Sequence, residues 1–357
     1  MKRRAILAML GGSAVAPPCT ASGQQALAAG DRGEVTPQER VAMAEVAKAF
    51  MERYAVPGLS VAVGHSGSIA YADAFGFSDH GSRKPLTPAH LFRIASVSKT
   101  ITSVAIFSLV EQGRLRLDDR VFGRGAILAG HHARPPRGQH VDEITISHLL
   151  THTCGGWSNA SDDPMFGNPG MDHAELIEWT LRNRPLAHAP GTHYAYSNFG
   201  YCVLGRVIEE VTHQPYAAFV ADAVLRRCGI DDMALAGNGL ADRRRDEVVY
   251  HGQAREDPYG MNVTRMDSHG GWIARPVDIV KFAMCVSGFS PPRNLLRPET
   301  LRAMTTPSPA NAAYAKGWAV NKAGNWWHTG SLPGTAMDRD LDDLAWDMVR
   351  KARAWRM

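Results

Sequence analysis

The sequence predicts an α+β fold, in which an antiparallel sheet is flanked by the terminal helices and an all-helical region is inserted. A capped helix and two strand-like segments open the chain after residue 35, and two more strand-like segments precede an amphipathic stripe at its end. From about residue 118 to 292 the pattern is mostly helical, with long irregular connections. Segregation of strands and helices along a chain is typical of α+β architectures.

The length and composition are those of a globular protein. With 357 residues, the chain is long enough for one large domain or two ordinary ones. It is 45% hydrophobic and 21% charged, and its formal net charge is +4. Without the N-terminal leader described next, the formal net charge is +1. So small a charge argues against a nucleic-acid-binding surface or a strongly electrostatic contact with a membrane.

Residues 1–28 have the composition of a secretory signal peptide. Residues 2–4 are basic, residues 5–16 form a short apolar core, and residues 26–28 resemble a small-residue cleavage site. The apolar core is shorter than the roughly 20 residues that span a bilayer. Removal of this leader lowers the formal net charge from +4 to +1, since it holds three basic and no acidic residues. Cys19 lies in a poor setting for lipid attachment, so we expect a secreted or periplasmic product without a stable membrane anchor.

The first folded elements are predicted to be a helix and a hairpin. Thr36 and Glu39 form a capping box, with proline at the first helical position. Apolar residues then follow at helical spacing: Met43, Val46, Phe50 and Tyr54. Segments 59–64 and 68–75 are separated by a short turn sequence and are predicted to pair as two strands.

Ser96 and Lys99 form the first candidate for chemistry. They precede a run from residue 101 to 110 that is apolar or small on every side, which predicts a buried helix closed by Gly113. Residues i and i+3 share a helix face, so the Lys99 amine is expected to reach the Ser96 hydroxyl. A serine needs a neighbouring base to attack a carbonyl, and burial favours the uncharged, basic form of lysine. The alternative is a serine near a helix start beside a solvated lysine.

Tyr196 and Asn198 form the second candidate. They lie two residues apart between the turn at 190–191 and a predicted helix, so their side chains are expected on one side of a loop. Tyr196 is suited to exchange a proton with Ser96 or with a leaving group, and Asn198 to hold a substrate amide. The alternative is a buried tyrosine followed by an asparagine N-cap.

The third candidate comprises His328, Thr329, Gly330 and Ser331, at the end of a Trp-rich strand. The absence of a side chain at Gly330 is expected to let a substrate backbone lie close. The N–H of Ser331 is then placed to join that of Ser96 as an oxyanion-binding pair. The alternative is an ordinary strand that ends in a turn.

The rest of the chain is predicted to add five central helices, two strands and a terminal helix. The central helices are residues 146–151, 173–183, 198–211, 216–227 and 276–286, and the strands are 317–321 and 325–330. The last apolar residues form a helical stripe: Leu341, Leu344, Ala345, Met348, Ala352 and Trp355. We therefore expect a folded domain over residues 29–337 and, over 338–357, a helix that packs on the sheet.

The three motifs, in the order S-x-x-K, Y-x-N and H-T-G, resemble those of the penicillin-recognising serine hydrolases, namely class C β-lactamases, DD-peptidases and family VIII carboxylesterases. The resemblance extends to neighbouring sequence, covers about residues 35–337 and implies a β-lactamase/transpeptidase-like fold. The similar segments are 56–63, 85–99, 149–153, 190–191, 270–271 and 317–318.

The resemblance implies a role for each motif residue. Ser96 is the expected nucleophile, Lys99 is its base partner, and Tyr196 shares the proton transfers. Asn198 and residues 328–330 are expected to bind substrate. Attack on an ester or amide gives an acyl-enzyme at Ser96, which water removes. The expected substrates are small esters, amides or peptidoglycan-type peptides, and no cofactor or metal is implied.

The third motif departs from the β-lactamase pattern. β-Lactamases usually have lysine where this chain has His328, which is mostly neutral near neutral pH. A neutral group binds the carboxylate of a β-lactam less strongly than a charged lysine does. The expected activity is therefore that of a carboxylesterase or a D-amino-acid peptidase or amidase, with weak or no β-lactamase activity.

The C-terminus departs from the family pattern more strongly. Two further strands are expected after the third motif, yet only residues 332–340 separate Ser331 from the terminal helix. The strand of His328 is then expected to lose its neighbours, and the hairpin of residues 59–75 to have an open edge. A rival hypothesis is therefore a catalytically silent binding or scaffold protein.

The remaining candidates have simpler interpretations. His148 and His152 lie four residues apart, as a metal pair does, but no third ligand accompanies them, so a structural role is favoured. Tryptophans near the motifs either line an acyl pocket or belong to the core: Trp157, Trp272, Trp318, Trp326 and Trp327. The cysteines beyond the leader either pair or stay buried as thiols, and the second is favoured: Cys154, Cys202, Cys228 and Cys285.

Overall fold

The computed structural model describes residues 5–9, 12–15, 35–129, 140–161, 163–252, 256–287, 294–337 and 339–352, and it confirms the α+β architecture. The strands are β1 (Ala5–Met9), β2 (Gly12–Val15), β3 (Gly58–His65), β4 (Ser68–Asp79), β5 (Lys84–Pro85), β6 (Phe92–Arg93), β7 (Ala234–Leu235), β8 (Trp272–Ala274), β9 (Ala319–Val320), β10 (Asn325–His328), β11 (Gly330–Leu332) and β12 (Thr335–Met337). The helices are α1 (Pro37–Tyr54), α2 (Ser98–Glu111), α3 (Ile146–Leu150), α4 (Pro164–Gly167), α5 (His173–Asn183), α6 (Asn198–Thr212), α7 (Tyr216–Val220), α8 (Pro276–Ser287), α9 (Pro298–Thr305) and α10 (Arg339–Val349).

Antiparallel pairing around β3 and β10 forms the centre of the fold. β3 and β4 form the predicted hairpin, with Gly58 opposite Gly76 at one end and His65 opposite Ser68 at the other. The other edge of β3 pairs with β1, and β10 lies between β2 and β9. Two smaller assemblies adjoin them, the β6–β8–β7 sheet and the β11–β12 hairpin.

The prediction of unpaired sheet edges near the third motif is wrong for this chain. Ala5–Met9 pairs along residues 61–65, and Gly12–Val15 pairs along Asn325–His328, so both edges carry partners. In addition, β12 lies in the segment that was expected only to connect Ser331 to the terminal helix. The physical reason is that the N–H and C=O groups along a strand edge pair with any extended segment that reaches them.

β1 and β2 consist of residues that the sequence assigns to the secretory leader. The rest of that leader, residues 1–4, 10–11 and 16–28, lies outside the described residues, as does Cys19. A protein cleaved after Ala28 therefore lacks both strands. Within the described ranges, none of the helices combines the length and apolar character needed to cross a bilayer.

The terminal helices pack against the β3–β4 hairpin and against each other. The predicted capping box starts α1, because the Glu39 N–H donates to Thr36 Oγ1 at 3.2 Å and the Thr36 N–H donates to Glu39 Oε2 at 2.9 Å. The helices and hairpin share one hydrophobic cluster: Val35, Met43, Ala47, Leu59, Val61, Val63, Tyr71, Leu341, Leu344, Ala345, Met348, Val349 and Ala352. The predicted terminal stripe is thus confirmed up to residue 352, and Trp355 lies outside the described residues.

α2 runs through the larger hydrophobic core. Every residue from 98 to 109 is buried, as the apolar sequence of this segment predicts. Gly113 follows the helix with φ 67°, the left-handed conformation expected of a C-terminal glycine. The predicted central helices are also present, except that α7 ends at Val220 and is followed by π and 3₁₀ turns. Residues of the sheet and of the helical region belong to the same core around α2.

Candidate active site

Ser96 lies in a strained turn between β6 and α2. Ala95–Val97 form a 3₁₀ turn, and α2 itself begins only at Ser98. Ala95 has φ 45°, a left-handed conformation that is uncommon for residues other than glycine. Ser96 is partly exposed, whereas Lys99 is completely buried. The turn therefore presents the serine hydroxyl at a surface while its lysine partner is shielded from water.

Three oxygen atoms surround the Lys99 amine. Nζ lies 2.9 Å from Ser96 Oγ, 2.8 Å from Asn198 Oδ1 and 3.0 Å from the His269 carbonyl oxygen. Burial lowers the pKa of Lys99 to about 7, against an opposing effect of the Asp163 charge. A large fraction of the lysine is therefore the free amine at neutral pH, the form that acts as a base.

The partners of Lys99 determine where its lone pair points. A neutral amine has two N–H donors and one lone pair. The Asn198 amide oxygen and the His269 carbonyl only accept, so these two atoms take both hydrogens. The remaining direction leads to Ser96 Oγ, whose hydroxyl then donates to the amine. This is the arrangement of a base that is ready to remove the Ser96 proton.

Tyr196 lies on the other side of the same hydroxyl. Its phenol is hydrogen-bonded to Ser96, and Lys99 Nζ lies 4.9 Å from the centre of its ring. Burial raises the pKa of Tyr196 well above the usual range. Because the Ser96 hydroxyl donates to Lys99, the Tyr196 phenol is the donor in its hydrogen bond to Ser96. Tyr196 is therefore a neutral phenol, which can accept a proton at one lone pair while it donates its own.

Asn198 contacts the Lys99 amine but does not line the cleft. Its Oδ1 accepts from Lys99, and its Nδ2 donates to Asp163 Oδ2 at 2.8 Å. Both ends of the amide are therefore occupied, which opposes the predicted role of Asn198 in holding a substrate amide. The alternative of an asparagine N-cap is wrong, because Ser197 caps α6 by accepting the Gly200 N–H at 3.0 Å.

His328 belongs to a chain of hydrogen bonds that determines its protonation state. Its Nδ1 lies 2.5 Å from the Thr329 carbonyl oxygen, which only accepts, so Nδ1 carries the proton. Its Nε2 lies 3.1 Å from the Tyr314 hydroxyl and accepts from it. Burial, followed by the Lys99 charge, lowers the pKa of His328 to about 3. The imidazole of His328 is therefore neutral, as predicted. The reason is burial, which favours the neutral form more strongly than the unperturbed pKa of histidine does.

His152 completes this chain on the far side of Tyr314. Its Nδ1 accepts the Ser197 N–H at 3.1 Å, so its proton is on Nε2, which donates to the Tyr314 hydroxyl at 3.2 Å. Burial lowers the pKa of His152 well below its usual range. His148 instead accepts the Thr145 N–H at the start of α3. The two histidines thus have separate hydrogen-bonding roles, in agreement with the structural interpretation, and the described residues contain no cluster suited to a metal ion.

Gly330 has a different function from the one expected. A Cβ at this position would lie 2.7 Å from the Ile94 carbonyl oxygen and 2.8 Å from the Ser96 nitrogen. The missing side chain therefore makes room for the protein's own Ser96 turn, rather than for a substrate backbone. This close approach joins the third motif to the first.

An open cleft of about 430 Å³ lies in front of these groups. Its lining consists of Ser96, Tyr194, Tyr196, Tyr314, Ala319 and residues 328–331. The cleft thus brings together every predicted site residue except Lys99 and Asn198, which lie behind Ser96 and Tyr196. Its aromatic wall is formed by tyrosines, and the tryptophans considered for an acyl pocket are absent from it. Four of those tryptophans are buried in the core: Trp157, Trp272, Trp318 and Trp326.

Several important residues carry no sequence signal. Asp163, Tyr314 and His269 were not predicted, because each contacts the site from a distant part of the chain. His152 was predicted only as a structural residue. The cysteines beyond the leader are buried thiols that form no disulfide, as favoured: Cys154, Cys202, Cys228 and Cys285.

The fold and this constellation are those of the penicillin-recognising serine hydrolase family. The profile of the Beta-lactamase family matches residues 43–342, which include all three motifs. The chain belongs to the Beta-lactamase family.

Known proteins of related sequence and structure agree with this assignment. Esterase EstB of Burkholderia gladioli is 32% identical over 237 residues, which cover 62% of this chain and 58% of that protein. This chain thus spans little more than half the length of that relative. D-amino acid amidase from Ochrobactrum anthropi SV3 shares the fold with a TM-score of 0.67 at 21% identity, covering 84% of this chain and 86% of that one. D-alanine carboxypeptidase AmpC from Burkholderia cenocepacia does so with a TM-score of 0.63 at 21% identity, covering 88% and 99%.

Proposed function

We propose that the protein is a serine hydrolase that forms an acyl-enzyme at Ser96. The observation that carries the proposal is the 2.9 Å contact between Ser96 Oγ, in the cleft, and the buried Lys99 amine. General-base assistance of this kind contributes roughly 10²–10⁴ in rate.

The proton transfers follow from the contacts of Ser96. Lys99 removes the hydroxyl proton while Oγ forms a bond to the substrate carbonyl carbon. Collapse of the tetrahedral intermediate breaks the bond to the leaving group, which receives a proton from the Tyr196 phenol, and Lys99 returns a proton to Tyr196. Water then attacks the Ser96 ester with the same groups in reverse order, which regenerates the serine.

The backbone N–H groups of Ser96 and Ser331 are the proposed oxyanion donors. In the β11–β12 hairpin, Leu332 and Thr335 are the pair next to the turn, and Ser331 lies opposite Ala336. Since hydrogen-bonded and non-bonded pairs alternate, the N–H of Ser331 points away from β12 if the turn is closed by its usual hydrogen bond. That N–H then faces the side on which Gly330 contacts the Ser96 turn.

We propose uncharged esters as the first substrate class, with amides, including D-amino-acid amides and peptides, as the second. Neutral His328 uses both ring nitrogens in protein contacts, so it offers no positive charge to a substrate carboxylate. The described lining of the cleft contains no lysine or arginine. The name of the relative, esterase EstB, supports testing esters first.

The nucleophile assignment is tested with a fluorophosphonate probe and p-nitrophenyl esters. Wild type should be labelled and turn over the ester, Ser96→Ala should do neither, and Ser158→Ala should match wild type. Equal labelling of Ser96→Ala would remove the assignment of Ser96.

The preference for uncharged substrates is tested by giving the third motif a fixed charge. Penicillin, which carries a carboxylate, should acylate wild type more slowly than a neutral ester does. His328→Lys should raise the ratio of penicillin to ester acylation by about tenfold, which corresponds to roughly 1.4 kcal/mol. An unchanged ratio in a folded variant would contradict the role given to His328.

We also propose that the protein is exported, on the strength of the leader pattern in residues 1–28. The exported form would lack β1 and β2, and the rival of a silent scaffold therefore applies to that form. Cell fractionation shows where the protein is located, and intact-mass measurement shows whether residues 1–28 have been removed. Ester turnover by the chain that starts at Ala29 decides between a hydrolase and a scaffold. A thermal melt distinguishes a folded but inactive chain from an unfolded one.

A further inference from the structure

Asp163 is a buried carboxylate behind the catalytic lysine, and the proposed mechanism does not use it. It caps α4, where Oδ1 accepts the Met165 N–H at 2.9 Å. Its other oxygen, Oδ2, accepts from Asn198 Nδ2 at 2.8 Å. Burial raises the pKa of Asp163, but both oxygens accept from N–H donors, and the charges of Lys99 and Arg265 also favour the ionised carboxylate.

This carboxylate distinguishes the two ends of the Asn198 amide. An ionised carboxylate only accepts, so Asn198 must present its NH₂ group to Asp163. The amide oxygen must then face Lys99. If the amide were reversed, its NH₂ group would donate to the amine lone pair, and that lone pair would no longer point at Ser96.

We propose that Asp163 is a positioning residue, which holds the Asn198 amide in one orientation and thereby directs the Lys99 lone pair at Ser96. Asp163 touches neither the cleft nor Ser96, and it acts on the reaction only through Asn198 and Lys99. The inference rests on the proposed serine hydrolase mechanism, because it assigns a task within that mechanism.

The charge of Asp163 has a second effect with a measurable sign. The titratable groups that face Lys99 are His152, Asp163, Tyr196, Tyr201, His269 and His328. The histidines and tyrosines of this set are neutral, because burial lowers the pKa of the former and raises that of the latter. Asp163 favours the ammonium form of Lys99, so its neutralisation should lower the pKa of Lys99.

Two substitutions remove the charge and keep the helix cap, since asparagine and serine are both favoured at N-caps. Asp163→Asn can present either end of its own amide to Asn198, and Asp163→Ser is too short to reach it. Asp231→Asn makes the same chemical change at an exposed aspartate and serves as the control.

The direct measurement is an NMR titration of ¹³Cε-labelled lysine, with the Lys99 signal assigned by its loss in Lys99→Ala. Both Asp163 variants should titrate at lower pH than wild type, and Asp231→Asn should not. This measurement does not require turnover, so it separates failure of the inference from failure of the proposed function.

The kinetic signature combines two changes of opposite sign. Each Asp163 variant should move the acid limb of kcat/KM for a neutral ester to lower pH, yet lower its plateau by about tenfold or more, part of the roughly 10²–10⁴ that a general base contributes. Simple structural damage lowers the plateau without moving the limb. An unmoved Lys99 titration in folded variants would overturn the inference.

If neither variant folds, the unaltered protein supplies the test. The side-chain NH₂ signal of Asn198 should shift as Asp163 is protonated at acid pH. Insensitivity of that signal to Asp163 would also overturn the inference.

Discussion

Gly330 lies directly against the turn that carries Ser96, since a Cβ on Gly330 would lie 2.8 Å from the Ser96 nitrogen and 2.7 Å from the Ile94 carbonyl oxygen. These are backbone atoms, which cannot move away from an added Cβ as the end of a flexible side chain can. The distance between β11 and Ser96 therefore depends on the absence of one methyl group.

Gly330→Ala should damage catalysis more than stability. The added methyl group pushes β11 away from the Ser96 turn and separates the two proposed oxyanion donors. Loss of one such donor typically lowers the rate roughly 10²–10³-fold, and we expect a loss of kcat/KM in that range. Gly170→Ala is the matched control, because a Cβ there meets nothing within 4 Å. Equal ester turnover by the two variants would show that the close approach is unimportant.

The pH dependence of ester hydrolysis should report the Lys99 amine. The ammonium form is not a base, so kcat/KM should fall as the pH drops below about 7, the pKa that burial gives to Lys99. Lys99→Arg keeps a permanent charge and should lose activity by at least about 100-fold. Lys322→Arg, in an exposed turn, is the control. A pH profile that stays flat to pH 5 would exclude Lys99 as the titrating base.

Tyr314→Phe should break the hydrogen-bond chain between the two buried histidines. Tyr314 donates to the neutral form of His328, so its loss should raise the pKa of His328 from about 3. It also leaves the buried Nε2–H of His152 without an acceptor, which destabilises a fold by about 1–3 kcal/mol. Histidine ¹⁵N shifts against pH and a thermal melt measure the two effects. Tyr54→Phe, a more exposed tyrosine, should change neither, and unchanged His328 nitrogen shifts in Tyr314→Phe would refute the chain.

Removal of residues 1–28 should destabilise the sheet. β1 and β2 are lost, so residues 61–65 of β3 and the whole of β10 acquire open edges. We expect a lower melting temperature for the chain that starts at Ala29, with faster amide exchange confined to those two strands. Identical exchange in both forms would mean that β1 and β2 contribute nothing to the pairing.

Local sequence patterns determined much of this protein. The spacing of Ser96 and Lys99 before an apolar run predicted that the two side chains meet at the start of a buried helix. They do meet, although Ser96 lies in the 3₁₀ turn that leads into α2. The capping box at Thr36 predicted α1, and the turn sequence at residues 65–67 between two strand-like segments predicted the β3–β4 hairpin, also from local sequence alone. The order of the three motifs was sufficient to indicate the family.

Only the tertiary structure decided the hydrogen-bond partners and protonation states of the site residues. Asp163, His152 and Tyr314 reach Asn198 and His328 from separate segments, and hydrogen bonds between distant residues leave no periodic signal in a sequence. The orientation of the Asn198 amide, the neutral state of His328 and the lowered pKa of Lys99 all depend on burial and on partners, which exist only after the chain has folded. For the same reason, nothing local indicated that residues 5–9 and 12–15 pair with two strands far along the chain.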